Sequence, residues 1–215
     1  MPKGSPELTE KRENEILDAC EKIYRIKGFY GVNIKEISSQ VSMTRPAIYH
    51  YFETKEEILL GLLIREYDQW CTELESVADD AAADTREELA QHMANTLSDK
   101  ETLLRILNMN LYEIEQKSRL ERLTKFKVQF QRSIRLLNKI IGTYQEGADE
   151  RECIDFSETF SAYLFGVYPF TAHTEKQLVA MRMAGVAVHE PEIGDMVYRA
   201  LLRMLPDKDI ARKKE

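Results

Sequence analysis

One recurring four-residue signature constrains this chain more than any other feature. A small oxygen-bearing side chain followed three positions later by Glu occurs at Asn33/Glu36, Thr54/Glu57, Thr85/Glu88, Ser98/Glu101 and Ser118/Glu121. Such pairs satisfy the amide groups that a helix leaves unbonded in its first turn. Between them the apolar residues recur at three- and four-residue spacing, and strict alternation is rare. Glycine and proline, at 9 and 6 residues, are too sparse to interrupt these stretches often. The chain is expected to be all-α.

The periodicity predicts a first helix from about Glu10 to Lys27, with Ile16, Ala19, Cys20, Ile23 and Tyr24 on one face and Gly28 as its stop. Short helices are expected before Thr54 and longer ones after it. The longest should run from Ser118 to about Glu146, on a stripe of Leu123, Phe126, Phe130, Ile134, Leu137, Ile141 and Tyr144. At ~1.5 Å per residue it spans roughly 40 Å. An aromatic-rich helix follows from Ile154 to Phe170, ending near Pro169, and a last one from about Pro191 to Met204, stopped by Pro206. The segment Thr174–Val188 stays open between helix and coil, because Gly185, Val186 and Val188 weaken a helix there. The Ala-Asp stretch at 78–84 reads as a hinge or loop, and the Lys-rich tail as frayed.

A chain of 215 residues is long enough for one or two cores. Three cysteines, Cys20, Cys71 and Cys153, are too few and too dispersed for a disulfide framework or a zinc site. No metal or cofactor is implied. The N-terminal residues lack the apolar stretch of a secretory signal, and no apolar run is long enough for a membrane span, so a soluble cytoplasmic protein with no membrane partner is expected. The formal charge of −7 argues at first against a polyanionic partner. Its distribution reverses that argument: residues 1–55 hold nine basic against eight acidic residues, and residues 56–215 hold 21 against 29. From Lys22 to Lys55 the count is six basic to two acidic. Any polyanion is therefore met by a small basic face on an otherwise acidic body.

That face coincides with the segment V-N-I-K-E-I-S-S-Q-V-S-M-T-R-P-A-I-Y-H-Y-F-E-T-K, Val32 to Lys55. Asn33–Val41 makes a helix of barely two turns, Ser42 and Met43 turn the chain, and Thr44 is placed to cap a second helix through Tyr51. Two short helices joined by a tight turn form a helix-turn-helix. Helices this short are unstable alone and need the first helix, with Ile23 and Phe29, as support. The run I-Y-H-Y-F-E-T-K-E-E-I-L, after a first helix ending in G-F-Y-G, resembles the DNA-binding domain of the TetR family of transcriptional regulators, over about Glu10 to Gln69. Ser42 stands where that family usually has Gly, Met43 where it has Val, and Pro46 where Gly is frequent. Proline is tolerated in a helix's first turn because its missing amide hydrogen has no partner there.

Recognition helices enter the major groove with their N-terminal residues against base edges, which makes Arg45 the leading candidate for a bidentate contact to guanine. Pro46 and Ala47 suit a thymine methyl. Tyr49, His50 and Tyr51 carry hydrogen-bonding tips on rigid rings, with the resemblance implying that Phe52 and Tyr49 are the more buried. Thr44 and Lys35 complete the candidate DNA contacts with Lys55, whose charge in a first turn opposes the helix dipole unless it meets a phosphate.

The resemblance implies a C-terminal helical domain, taken as 70–215 after a DNA-binding domain at 10–69, for ligand binding and dimerisation. Candidate residues for a pocket that takes a small-molecule effector are Tyr67, Trp70, His92, Met93, Met109, Tyr112, Phe126 and Phe130, although any packed core needs such side chains too. His92, Asn108 and Asn110 lie in otherwise apolar helices, where each serves to orient a ligand or to satisfy a neighbouring backbone group. Phe160, Tyr163, Leu164, Val167, Met196 and Leu201 are the candidates for a homodimer interface. The leading reading is a homodimeric regulator of double-stranded DNA, a repressor released by a small molecule. The alternative is a co-regulator that keeps the fold but binds a protein in place of DNA. No phosphate loop, metal-spaced cluster or nucleophile with its base is visible, so an enzyme is not expected.

Overall fold

The computed structural model describes residues 5–79, 85–145 and 147–206, and every regular element among them is helical. In chain order these are α1 (Pro6–Gly31), α2 (Ile34–Ser38), α3 (Arg45–Tyr49), α4 (Lys55–Asp79), α5 (Arg86–Asn95), α6 (Glu101–Met109), α7 (Leu111–Gln116), α8 (Leu120–Tyr144), α9 (Glu150–Val167), α10 (Glu175–Met183) and α11 (Ile193–Met204), with a 3₁₀ turn at Tyr168–Phe170. None is long and apolar enough to cross a membrane. Asp80 to Asp84, most of the stretch read as a hinge, and the Lys-rich tail lie outside the described residues.

The chain divides into two compact units, one of residues 1–66 and 110–128, the other of 67–109 and 129–215. The first therefore takes in a later stretch of chain that a single cut at 69/70 leaves out. Within it, α1 starts at Pro6, with Ser5 Oγ accepting from the Leu8 amide at 3.3 Å, so four residues precede the expected start. Gly28 (φ 66°, ψ −171°) breaks the helix where a stop was expected, and the chain then resumes helical turns to Gly31. Ile16, Leu17, Cys20, Ile23 and Tyr24 from α1 form a core with Ile37, Ile48, Phe52, Ile58, Leu62 and Leu63, and Ile114 and Phe126 are buried as well. Gly61 marks where α4 runs tight against this core: a Cβ there would lie 3.0 Å from Leu17 Cδ2 and 3.2 Å from Phe52 Cε1.

In the second unit α11 packs on α5 and α9, and α6 on α9. Leu89, Met93, Leu103, Leu104, Ile106, Leu137, Ile141, Phe156, Phe160, Leu164, Val197 and Leu201 are buried. Two of the expected helix starts work through different groups. Ser98 Oγ donates to Ala94 O (3.1 Å) and α6 begins at Glu101; in the first unit, Ser118 Oγ donates to Ile114 O (2.7 Å) and α8 begins at Leu120. Thr85 with Glu88 does form a complete capping box, and so do Asp149 with Glu152 and Thr174 with Gln177. The aromatic helix α9 ends at Val167, before Pro169, and passes into the 3₁₀ turn.

The open segment becomes α10, capped at both ends. Its last turn closes with Gly185 N to Arg182 O (3.2 Å) and Val186 N to Met181 O (2.9 Å), and Gly185 sits at φ 68°. At the base of this excursion Glu190 Oε1 accepts from the His173 amide at 2.9 Å and meets its Nδ1 at 2.9 Å. No side chain of α10 is buried. All three cysteines are free and buried; burial pushes the Cys20 thiol up to about 12 and the Cys71 thiol to about 11.

Candidate nucleic-acid interface

The two shortest helices of the first unit carry the candidate site. Asn33 caps α2 as its sequence implies, its Oδ1 accepting from the Glu36 amide at 3.0 Å. Ile37 is the one buried side chain of α2, and Ile48 that of α3. The turn between them is fixed from α1: Glu15 Oε1 accepts from the Ser42 amide (2.7 Å) and from the Ser42 hydroxyl (2.9 Å). The Ser42 amide first, then its hydroxyl, hold the Glu15 carboxyl below the ordinary carboxylate range. No non-glycine residue among those described has a positive φ, so position 42 needs no glycine, and its serine supplies a bond that glycine lacks.

Helix α3 spans Arg45–Tyr49, starting just after the Thr44 cap position as expected and ending two residues earlier. Thr44 is its N-cap residue by backbone geometry, but the hydroxyl makes no capping bond, a departure from the expected cap. Pro46 falls in the first turn, where it displaces no hydrogen bond. Thr44, Arg45, Pro46, Tyr49 and His50 are exposed and contiguous around Ile48, Ala47 is half-buried beside them, and Lys35 is exposed on α2. Phe52 is fully buried as expected; Tyr49, expected to be buried, is 53% exposed. The helical register places position 48 toward the core and 49 away from it.

Lys55 is turned back onto α1. Its Nζ donates to Phe29 O at 3.2 Å and lies 4.1 Å from the centre of the Phe29 ring. Tyr51 is half-buried, and its carbonyl accepts from two arginines, Arg122 Nη2 at 2.9 Å and Arg119 Nη2 at 3.4 Å. Sequence reasoning missed both arginines, because partners about 70 positions apart leave no periodic or spacing signal. It also missed what the Glu of the Thr54 pair does. The Glu57 amide donates to Thr54 Oγ1 at 3.1 Å, but the carboxylate, fully buried, takes the Glu53 amide (2.8 Å) and both Nε and Nη2 of Arg119 (2.6 and 2.9 Å).

The candidate pocket residues separate. In the second unit Tyr67 lies edge-on to Trp70 (centroids 5.8 Å apart) and to Phe130 (6.0 Å), and Phe130 edge-on to Phe165 (6.4 Å). Trp70 Nε1 donates to Thr96 Oγ1 at 3.0 Å, and Met93 is buried on α5, the helix that Thr96 follows. His92 and Met109 are exposed, and Tyr112 and Phe126 belong to the first unit, Tyr112 exposed and Phe126 buried. Asn108 and Asn110 serve structure: Asn108 Nδ2 donates to Phe165 O (2.9 Å), and Asn110 Oδ1 accepts from the Tyr24 hydroxyl (3.4 Å). Of the candidate interface residues, Phe160, Leu164, Val167 and Leu201 are spent inside the chain, each at most 2% exposed. Only Tyr163 and Met196 keep partial exposure, and the Tyr163 hydroxyl donates to Met196 O at 2.9 Å. The exposed side of α9 carries instead Ile154, Asp155, Glu158 and Thr159 with Ala162 and Gly166, and that of α11 carries Asp195, Arg199 and Arg203.

The model of the bacterial regulatory proteins of the tetR family matches residues 16–62, and that of the tetracyclin repressor-like C-terminal domain matches residues 64–205. Over 78 residues the chain is 30% identical to the HTH-type transcriptional regulator EthR of Mycobacterium tuberculosis, covering 36% of each chain. Over 69 residues it is 30% identical to the HTH-type transcriptional regulator HbdR of Aromatoleum sp., covering 32% of this chain and 30% of HbdR. The chain thus spans about a third of the length of the curated relatives it matches. Two solved structures resemble it nearly end to end. The fatty acid degradation regulator FadR from Bacillus halodurans has a TM-score of 0.60 at 17% identity, covering 94% of this chain and 96% of that one. The TetR family regulator PfmR from Thermus thermophilus has a TM-score of 0.59 at 14% identity, covering 88% and 96%. At such identities the likeness speaks for the fold, while the two family models together take in the helix-turn-helix and nearly all that follows it: the chain belongs to the TetR family of helix-turn-helix transcriptional regulators.

Proposed function

We propose that the protein is a homodimeric repressor that reads a pseudo-palindromic DNA operator with α3 and is released by a small molecule bound in its C-terminal unit. The observation that carries this reading is the contiguous exposed face of Arg45, Pro46, Tyr49 and His50 on a helix whose inward side is anchored by Ile48. Arg45, the first residue of α3, meets a guanine edge; Pro46 and Ala47 meet a thymine methyl; Thr44, Tyr49 and His50 meet phosphates or base edges; and Lys35 approaches the backbone from α2. One helix of five residues reads too few base pairs, so two copies are required, about one turn of DNA apart. The second copy meets the uncovered faces of α9 and α11. The effector binds among Tyr67, Trp70 and Phe130, where aromatic faces adjoin the Thr96 hydroxyl.

A duplex carrying the protein's own upstream region, titrated by fluorescence anisotropy against a scrambled duplex, tests the reading. Sequence-specific, salt-sensitive binding is expected, with Arg45→Ala weakening it by about 1–3 kcal/mol. Equal affinity for both duplexes, or indifference to Arg45→Ala, overturns it. Trp70 is the only tryptophan, so its emission reports effector occupancy directly. The co-regulator alternative rested on Ser42 and Pro46 standing in place of glycine. Both residues have local uses within an intact helix-turn-helix, and no other observation favours it.

A further inference from the structure

Two arginines stand where helix electrostatics disfavours them. Arg119 immediately precedes α8 and Arg122 lies in its first turn, next to the positive end of the helix dipole. Their side chains leave that end and converge on the far end of the reading helix. Arg122 Nη2 donates to Tyr51 O at 2.9 Å and to Glu13 Oε1 of α1 at 2.7 Å, while its guanidinium lies 4.6 Å from the centre of the Phe52 ring. Arg119 Nη2 reaches the same carbonyl at 3.4 Å, and the rest of that guanidinium is held by Glu57 and by Glu53 (Nη1 to Oε1, 3.1 Å). Tyr51 lies just past α3, where carbonyls have lost their helical partners and a cation is favourable. The Arg122 side chain is 13% exposed and that of Glu57 is fully buried, so these two are the enclosed members of the cluster, while Arg119 stays 42% exposed. Burial works against the Glu57 charge, yet the bonds from Arg119 and from the Glu53 amide outweigh it and hold its carboxyl below the ordinary range.

We propose that Arg119 and Arg122 are positioning residues for DNA reading: they touch no DNA, and set the angle at which α3 presents Arg45 by clamping its C-terminal end between Glu13, Glu57 and the start of α8. The proposal rests on α3 as the reading helix. It deepens that reading by assigning the orientation of α3 to residues from a distant stretch of chain. Three roles are separable by experiment. A positioning role changes binding to the preferred sequence and spares phosphate-driven binding to random DNA. A merely structural role lowers the active fraction and leaves the preference intact. A phosphate contact weakens both and flattens the salt dependence by about 0.9 in log–log slope.

A duplex enriched from a random pool by the full-length protein serves as the specific probe, and a random duplex of equal length as the reference. Both are titrated across a salt series with the protein, Arg122→Gln and Glu13→Gln. The second variant removes the carboxylate that holds Arg122 while keeping the arginine itself, and it serves as the test if Arg122→Gln fails to fold. The preference for the enriched duplex is expected to fall by about tenfold in either variant, as fits the loss of one charged hydrogen bond, with an unchanged salt slope. Amide exchange at His50 and Phe52 should rise in the same variants. A preference that survives in Glu13→Gln overturns the proposal while leaving α3 as the reader, and so does a loss shared equally by both duplexes. If the unsubstituted protein enriches no sequence, the reading of α3 falls, and the proposal with it.

Discussion

Helices α3 and α10 are stabilised in opposite ways. The first has five residues, no side-chain cap and a single buried side chain, Ile48. The second has nine residues, a complete capping box, a glycine-closed end and nothing buried. Local sequence specifies α10 almost completely, and among the described residues nothing buries any of its side chains. Local sequence barely specifies α3, which is held from before by Glu15 through Ser42 and from behind by Arg119 and Arg122 through the Tyr51 carbonyl. A helix that must be aimed is thus held by residues far away in the sequence, whereas one capped at both ends is defined by its own.

Breaking the core just past the end of α3 gives the largest effect. Phe52→Ala empties a site between Leu17, Gly61 and the Arg122 guanidinium and should cost about 3–5 kcal/mol in urea unfolding. A smaller effect comes from the carboxylate behind the helix. Glu57→Gln should cost about 1–3 kcal/mol near neutral pH. Because the native Glu57 carboxyl is held below its ordinary range, its contribution is complete above the ordinary glutamate pKa and is lost as pH falls through the lowered native value. Stability measured from pH 6 down to pH 3 should therefore fall less steeply in the variant. The smallest effects sharpen the contrast itself. Thr174→Ala should raise amide exchange across α10 by the equivalent of about 1 kcal/mol while leaving the global unfolding midpoint in place. Thr44→Ala should change stability by less than about 0.5 kcal/mol, because its hydroxyl makes no capping bond. A Thr44→Ala loss as large as that of Thr174→Ala would mean that α3 is locally encoded after all.

What was legible in the sequence follows the same division. The caps at Asn33, Thr85 and the Thr54 amide contact, the break at Gly28 and the exposed Arg45 all depend on neighbours within a few residues, and pattern reading found them, whereas the burial of Phe52 was implied by the family resemblance. Ser98 and Ser118 carry the same local signature, but their hydroxyls bond back to the preceding turn, a competition that spacing cannot resolve. Phe160 was read as an interface residue because an apolar side chain looks the same whether it faces its own core or a partner. Phe160, Leu164 and Val167 are needed inside the second unit, which leaves Ala162 and Gly166 to face outward. The arginine clamp was invisible for the converse reason: its chemistry is plain, but its partners are scattered from Glu13 to Arg122.

The three cysteines have a consequence for what can switch this regulator. A cysteine responds to peroxide or to a disulfide as a thiolate, and near neutral pH Cys20 and Cys71, with pKa values pushed to about 12 and 11, hold almost none. Cys153 is shifted in the same direction, chiefly by burial and then by Glu152 and Asp149. In the folded state all three thiols are thus pushed away from the reactive thiolate, which works against a cysteine-based response to oxidants.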